Sequence, residues 1–412
     1  MLKGFPSARA ALVSTAACLA FGVLASQGAL AEKVYDPGAS DTEIKIGNIE
    51  AYSGPASAYG IIGKTEEAYF KMVNDQGGIA GHKINFITYD DGYLPPRTLE
   101  DARRLVEQDK VDFLFNTLGT PTNSAIERYL NHKKVPQLFV ATGANKWGDY
   151  KQYPWTIGLQ PSYRTEAQIY AKYALKQKPD AKIGILYQND DFGKDYVAGL
   201  RDVLGKNWGK YVVKSLSYEA TDPTIDSQMT ELQASGADVF VSATAPKQAA
   251  QAIHKAHDLN WHPLFFMTNV SISAGSVMKP AGAENGIGII TSGWMKDPTE
   301  AAFKDDAGMN EWRAFMAKYM PGADLTDNNF VYGYTACVVM RHVLEQCKGN
   351  FSRANVMKQA TSIGKLEVGT LLPGISVSTS ATNYHPIRAM QLQKWDGKNW
   401  VRFGGIIEGA PA

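Results

Sequence analysis

The sequence predicts an α/β protein of two doubly wound parallel-sheet lobes. Short apolar runs alternate with amphipathic helical stripes from Ile44 to Val140, and the same alternation restarts at Lys182. Short strands with helices between them build parallel sheets covered on both faces. Length agrees, because 412 residues are enough for two substantial cores.

In the first set the strand-like runs are EIKIGNI, KINFITYDD, VDFLFNT and PQLFVAT. Ile62, Tyr69, Phe70 and Val73 make a helical stripe that ends at Gly77-Gly78. Leu99, Ala102, Leu105 and Val106 make a second stripe, and Ile126, Tyr129 and Leu130 a third. The Gly- and Asp-containing lead from Asp36 to Asp41 reads as mobile. PWTIGLQPSYRTE, with Pro154 and Pro161 in it, reads as an extended linker between the sets.

The second set has strands KIGILYQNDD, YVVKSLSY, ADVFVSAT, PLFFMTN and GIGIITS, with helices over 194–204, 224–235 and 246–259. Further helical segments cover 310–319, 328–347 and 353–361. The chain ends in a predicted hairpin, RAMQLQKWDGKNWVRF, turning at Asp396-Gly397.

Hydrophobic residues at 44% and charged residues at 20% are ordinary for a folded chain. A formal charge of +1 argues against a nucleic-acid binder, which would carry a basic face. Lys3 and Arg9 precede an apolar run from Ala10 to Ala25, and Ala29-Leu30-Ala31 has the small-x-small cleavage pattern, so 1–31 reads as a secretory signal peptide. Its removal takes two cations and no acids, leaving 40 Lys and Arg against 41 Asp and Glu, a charge of −1. A lipoprotein would use Cys18, but Thr15-Ala16-Ala17-Cys18 lacks the leucine of a lipobox. No later run approaches the ~18 apolar residues of a membrane span. Cys337 and Cys347 sit in one helical run, where a continuous helix holds them ~15 Å apart. They read as two buried thiols, with a disulfide across a helix end as the other reading.

Ligands of open parallel sheets sit beyond the carboxyl ends of the strands. The loops there are small, hydroxylated or aromatic. In AYSGPASAYG, Tyr52 and Tyr59 either face a ligand or cap the core. Thr120 is a ligand hydroxyl, a helix cap, or both. Phe192 either meets a ligand or packs on its helix, and Trp147 lies in the cleft or on its rim. Asp90-Asp91-Gly92 reads as a solvated Asx turn rather than a metal or catalytic pair. His254 and His257 read as surface histidines. No strand leads into GxSxG, GxGxxG or GxxxxGK[ST], so neither a nucleophile nor a nucleotide site is predicted.

Taken together, AYSGPASAYG, NDQGGIAGHKINFITYDDGYLPPRT, LGTPTNSA, FVATGANKWGD, YQNDDFGKDYVAGL and GYTA make the chain resemble the type I periplasmic binding proteins of the leucine/isoleucine/valine class. These are the soluble receptors of ABC importers. The resemblance runs in order through nearly the whole mature chain. It implies two lobes joined by three crossovers, near 158–162, 291–295 and 373–378, that close like a hinge on a small ligand. Lobe 1 would be 32–160 with 294–374, and lobe 2 would be 161–293 with 375–412. The resemblance also implies a periplasmic, monomeric binding protein that is not an enzyme and needs no cofactor. Its partners would be a small-molecule ligand and the permease and ATPase subunits of an importer, with no nucleic acid.

Carried over position by position, the resemblance gives Thr120, with the Gly119 backbone, the ligand carboxylate. Thr142, Gly143 and Ala144 match a loop that supplies a carbonyl and a threonine, here replaced by Ala144. Thr244 falls on a tyrosine-like position and Phe192 on a ring position. Tyr52, Tyr59, Leu118 and Phe330 match side-chain pocket positions, and Trp147 offers a further ring. The acid that neutralises an amino-acid ligand's ammonium falls on Val270, beside Asn269.

Losing one partner of a buried ion pair costs about 3–5 kcal/mol, or two to three orders of magnitude in affinity at ~1.4 kcal/mol per decade. The expected ligand is therefore an aromatic or branched carboxylate, or an amide, that need not be an amino acid. The alternatives are a branched-chain or hydrophobic amino-acid receptor in which Glu50, Asp190 or Asp191 replaces the acid, an exported sensor feeding a membrane receptor, and a secreted α/β enzyme.

Overall fold

A computed structural model describes residues 34–409; the segment read as a signal peptide, Cys18 included, lies outside them. The EIKIGNI run forms the strand Glu43–Glu50, whose last five residues are all buried. A strand buried on both faces needs neighbours on both edges. It has Lys83–Asp90 on one side and Phe113–Phe115 on the other, both parallel. Gln137–Val140 and Thr156–Gly158 complete a five-stranded parallel sheet, covered by the helices Ile61–Asp75, Pro95–Arg103 and Thr120–Lys133.

Two segments differ from the sequence reading. Thr156–Gly158 lies in the stretch read as a linker, yet it pairs as an edge strand. Its prolines flank the pairing residues rather than interrupt them, so the run keeps its ladder donors. The lead read as mobile is pinned: the Asp36 carboxylate accepts the Arg353 N–H at 2.8 Å and the Gly38 carbonyl the Lys45 N–H at 2.7 Å, just after Val34–Tyr35 pairs with Asn350–Phe351.

The second sheet has seven strands, in the order Trp400–Glu408, Ala389–Trp395, Ile290–Gly293, Leu264–Met267, Val239–Ala243, Ile183–Gln188 and Val212–Tyr218. The central and far strands are parallel, while the closing hairpin adds two antiparallel strands at one edge. Asp396 Oδ1 accepts the N–H groups of Lys398 and Asn399 and so builds the hairpin turn.

The chain crosses between the lobes three times. The second and third crossings run side by side: the Lys296 N–H donates to the Thr370 carbonyl at 2.8 Å and the Leu372 N–H to that of Trp294 at 3.0 Å. Between these crossings, the helix Asn329–Gln346 returns to pack on Ile61–Asp75. Gly333 allows the approach, since a Cβ there would lie 3.0 Å from the Ile62 carbonyl oxygen. Cys337 and Cys347 are both buried and unbridged.

Candidate ligand-binding cleft

Between the carboxyl ends of the two sheets lies a cavity of about 50 Å³. Its floor on the first lobe is made where strands turn into helices. Leu118, Gly119 and Thr120 come from the turn into Thr120–Lys133. Gly119 has φ +91°, and a Cβ on it would lie 2.4 Å from the Tyr93 ring, so the glycine lets Tyr93 reach the cavity wall. Tyr59 stands on the short turn Ser57–Gly60 that opens Ile61–Asp75. The second lobe contributes Phe192 from the first turn of Asp191–Leu204, and Asn269 and Val270 from the turn after Leu264–Met267.

The lobes touch across this cavity. The Tyr59 hydroxyl donates to the Val270 carbonyl at 3.0 Å and meets the Ser271 hydroxyl at 3.3 Å. Gln188 Nε2 donates to the Tyr93 hydroxyl at 3.2 Å; away from the cavity, beside the first crossover, the Asn145 N–H donates to Asp195 at 2.6 Å. Elsewhere between the lobes, the Lys279 ammonium meets Asp324 at 3.0 Å. This is a closed arrangement. By volume it holds roughly three to five waters, at about 10–15 Å³ each, so a branched or aromatic acid enters only as the lobes ease apart.

Of the residues singled out in the sequence, the structure brings Tyr59, Leu118, Gly119, Thr120, Phe192 and Asn269 to the cavity. It does not bring the others. The Tyr52 hydroxyl turns into the first sheet and shares a hydrogen bond with Thr88 at 2.8 Å. Thr142 stands behind Thr120, with the two hydroxyls 2.5 Å apart. Gly143 holds the first crossover, its carbonyl accepting the Tyr163 N–H at 2.8 Å, and Ala144 is buried beside it. Trp147 is buried rather than on a rim, with the Lys146 ammonium 5.2 Å from its ring centroid. Thr244 is fully buried against Ser242, and the adjoining Ala245 lines the cavity in its place. Phe330 packs into the core while Asn329 and Tyr332, three apart on the same helix, face the cleft.

The acids considered as replacements do not line the cavity. Glu50 is buried in lobe 1 and neither of its oxygens has a hydrogen-bond partner of ordinary geometry; burial, then the nearby Asp91 charge, pushes its carboxyl well up. Asp190 caps its helix, accepting the Phe192 N–H at 2.9 Å. Asp191 is exposed, 3.8 Å from Lys146. Asp90 does form the Asx turn, accepting the Gly92 N–H at 3.0 Å, but Asp91 is buried rather than solvated and is held by the Thr98 hydroxyl. His254 and His257 are exposed beside Asp258.

Among the residues lining the cavity none is charged. Its rings are Tyr59, Tyr93, Tyr163, Phe192, Trp294 and Tyr332. Four of these were missed in the sequence. Tyr93 and Trp294 each follow the end of a strand closely, which is a readable signal. Tyr163 comes from a crossover and Tyr332 from the distant helix Asn329–Gln346, so only the folded chain places them. The Tyr163 and Phe192 rings meet edge to face at 4.9 Å, and those of Trp294 and Tyr332 at 6.0 Å.

Comparison with known proteins fits this geometry. Residues 43–399 match the periplasmic binding protein family. A Leu/Ile/Val-binding protein homolog of Brucella melitensis is 24% identical over 390 residues, covering 90% of this chain and 97% of the relative. A branched chain amino acid ABC transporter structure from Thermus thermophilus with bound valine superposes with a TM-score of 0.80 at 16% identity, covering 90% of this chain and 98% of the other. A solute binding protein from R. palustris in complex with 4-hydroxybenzoate has a TM-score of 0.73 at 20% identity, over 90% and 98% of the two chains. The chain belongs to the periplasmic binding protein family, as a type I member of the leucine/isoleucine/valine-binding class.

Proposed function

We propose that this chain is the periplasmic substrate-binding component of an ABC importer and captures a small aromatic or branched carboxylate. The observation that carries this reading is the wall of the cleft: six rings, the Thr120 hydroxyl and several neutral amides, with no acid to receive an ammonium. The carboxylate docks against Thr120 at the start of Thr120–Lys133, where backbone N–H groups and the helix dipole favour an anion. The second lobe then closes over the ring or branched chain. Closure advances only as far as the ligand's differential affinity for the closed state allows. A permease and its ATPase recognise the closed monomer.

The amino-acid reading is the second candidate, favoured by the valine in the Thermus neighbour. Calorimetry with benzoate, 4-hydroxybenzoate and isovalerate against valine, leucine and phenylalanine separates the two. The acids should bind with nanomolar to micromolar affinity and the amino acids at least 100-fold more weakly, given about 3–5 kcal/mol for an unpaired buried charge. Tighter binding of leucine than of any acid refutes the proposal.

A further inference from the structure

Glu166 lies on the helix Tyr163–Gln177, fully shielded from solvent, three residues after the cavity-lining Tyr163. It does not line the cavity itself. Five neutral groups lie within hydrogen-bond reach of it: the hydroxyls of Tyr170 and Tyr196, the Ser292 hydroxyl at 2.7 Å, and two groups of Asn269. The Tyr170 hydroxyl also reaches the Met267 carbonyl at 2.7 Å and the Tyr196 hydroxyl the Thr268 hydroxyl at 2.6 Å, so the two phenols tie this carboxyl, which burial pushes above its ordinary pKa, into the second lobe.

The two Asn269 contacts make a clamp. Its backbone N–H donates to Oε1 at 3.0 Å and its side-chain Nδ2 to Oε2 at 2.5 Å. The Trp294 Nε1–H at the other end of the amide can only donate, so the amide has a single assignment: Oδ1 turns to Trp294 and Nδ2 to Glu166. Among the described residues the Trp294 Nε1–H alone reaches Oδ1, at 3.4 Å, the long end of a hydrogen bond. Asn269 and Trp294 both line the cavity.

We infer that Glu166 is a positioning residue that fixes Asn269 as a neutral hydrogen-bond acceptor in the cleft wall, so that the ligand carries an uncharged O–H or N–H donor facing Asn269. The inference rests on the reading of the cleft as an acid receptor and deepens it: the ligand has a second polar group, distinct from the carboxylate at Thr120. A ligand without that donor leaves Oδ1 desolvated with no more than the long Trp294 contact, and buried polar groups left under-satisfied are what make a site reject an analogue.

The test uses two matched pairs in calorimetry: 4-hydroxybenzoate against 4-methylbenzoate, and methyl 4-hydroxybenzoate against methyl 4-methylbenzoate. The wild-type protein should prefer the hydroxyl compound at least tenfold in one pair or both. Glu166→Gln frees the Asn269 amide to turn and should cut that ratio several-fold, and Asn269→Ala should abolish it. Discrimination in the ester pair alone would sink the carboxylate reading while supporting the acceptor role of Asn269. Acids that bind with no discrimination in either pair would do the reverse. No binding in any pair, or an unchanged ratio in Glu166→Gln, overturns the inference. Should Glu166→Gln not fold, ligand-free NMR of the wild-type protein decides: the Asn269 side-chain NH₂ should be protected from exchange, and exchange at the rate of an exposed amide overturns the clamp.

Discussion

The hydroxyl of Tyr59, on the first lobe, donates to the backbone carbonyl of Val270, on the second, at 3.0 Å. On the resemblance to the leucine/isoleucine/valine class, the acid of an amino-acid receptor would fall at Val270. A main-chain carbonyl therefore takes a bond that closes the cleft, and it takes it from the protein rather than from a ligand's ammonium. Burial pushes the Tyr59 phenol far up, so it stays a donor at any physiological pH.

Tyr59→Phe keeps the ring against the cavity and removes only this contact and the one to Ser271. A neutral hydrogen bond contributes about 0.5–1.5 kcal/mol net, so every ligand should bind roughly two- to tenfold more weakly, whatever its chemistry. Small-angle scattering should show ligand-free Tyr59→Phe more open than the wild-type protein. Weakening confined to one ligand class would mean that Tyr59 acts on the ligand and not on closure.

Thr120 should behave differently. Its hydroxyl is buried in contact with that of Thr142 and belongs to the cavity floor. Thr120→Val keeps the branched shape and deletes the hydroxyl. A hydrogen bond to a charged group contributes about 1.5–3 kcal/mol, so carboxylates should lose roughly ten- to a hundredfold in calorimetric affinity, while their methyl esters lose much less. Equal losses for acid and ester would place the carboxylate elsewhere in the cleft.

The legible parts of the molecule are those set by local pattern. Ile62, Tyr69, Phe70 and Val73 repeat at helical spacing and form Ile61–Asp75, and the GxSxG and GxGxxG absences needed no fold to read. Thr120 and Phe192 were readable because each closely follows a strand end in an open sheet. Tyr52 and Tyr59 show where this runs out. They share one loop and similar neighbours, yet one turns into the sheet to Thr88 and the other across the cleft to Val270. The direction a side chain takes from such a loop depends on partners far away in sequence. Tyr332 and Glu166 were invisible for the same reason: their partners, Asn116 and Asn269, are joined to them only by the folded chain.

Glu50 predicts a pH-dependent stability. Its carboxyl is raised first by burial and then by the Asp91 charge, with only the Gly63 N–H pulling the other way. The folded state thus holds this proton more tightly than the unfolded chain, whose glutamates titrate near about 4.3. The stabilising contribution is whole below that pH and is lost as pH rises toward the raised value. Urea midpoints of the wild-type protein should therefore fall from pH 4.5 upward. Glu50→Gln should match it at low pH and exceed it by a growing margin toward pH 8. Parallel curves for the two proteins would show that the carboxyl is already relieved by a partner.

Asp195 makes the same argument for closure. Its carboxylate accepts the Asn145 N–H of the opposite lobe at 2.6 Å. Its pKa is raised to about 6: burial, and after it the Asp191 charge, push it up against the Asn145 bond and the Arg164 and Lys146 charges. Opening the cleft breaks the Asn145 bond and wets the carboxyl, so its pKa drops toward the ordinary value of about 3.9. Closing therefore takes up a proton between those limits. The contribution to the closed state is complete below about pH 4, fades as pH rises through about 6, and is constant above. Affinity for an acid that stays ionised throughout should weaken from pH 5 to pH 6.5 and then level off. Asp195→Asn keeps an acceptor for Asn145 without the charge, so it should bind more tightly than wild type at pH 7, several-fold or more, with the slope between pH 5 and 6.5 removed. If the slope persists in Asp195→Asn, the proton taken up on closing belongs to another group.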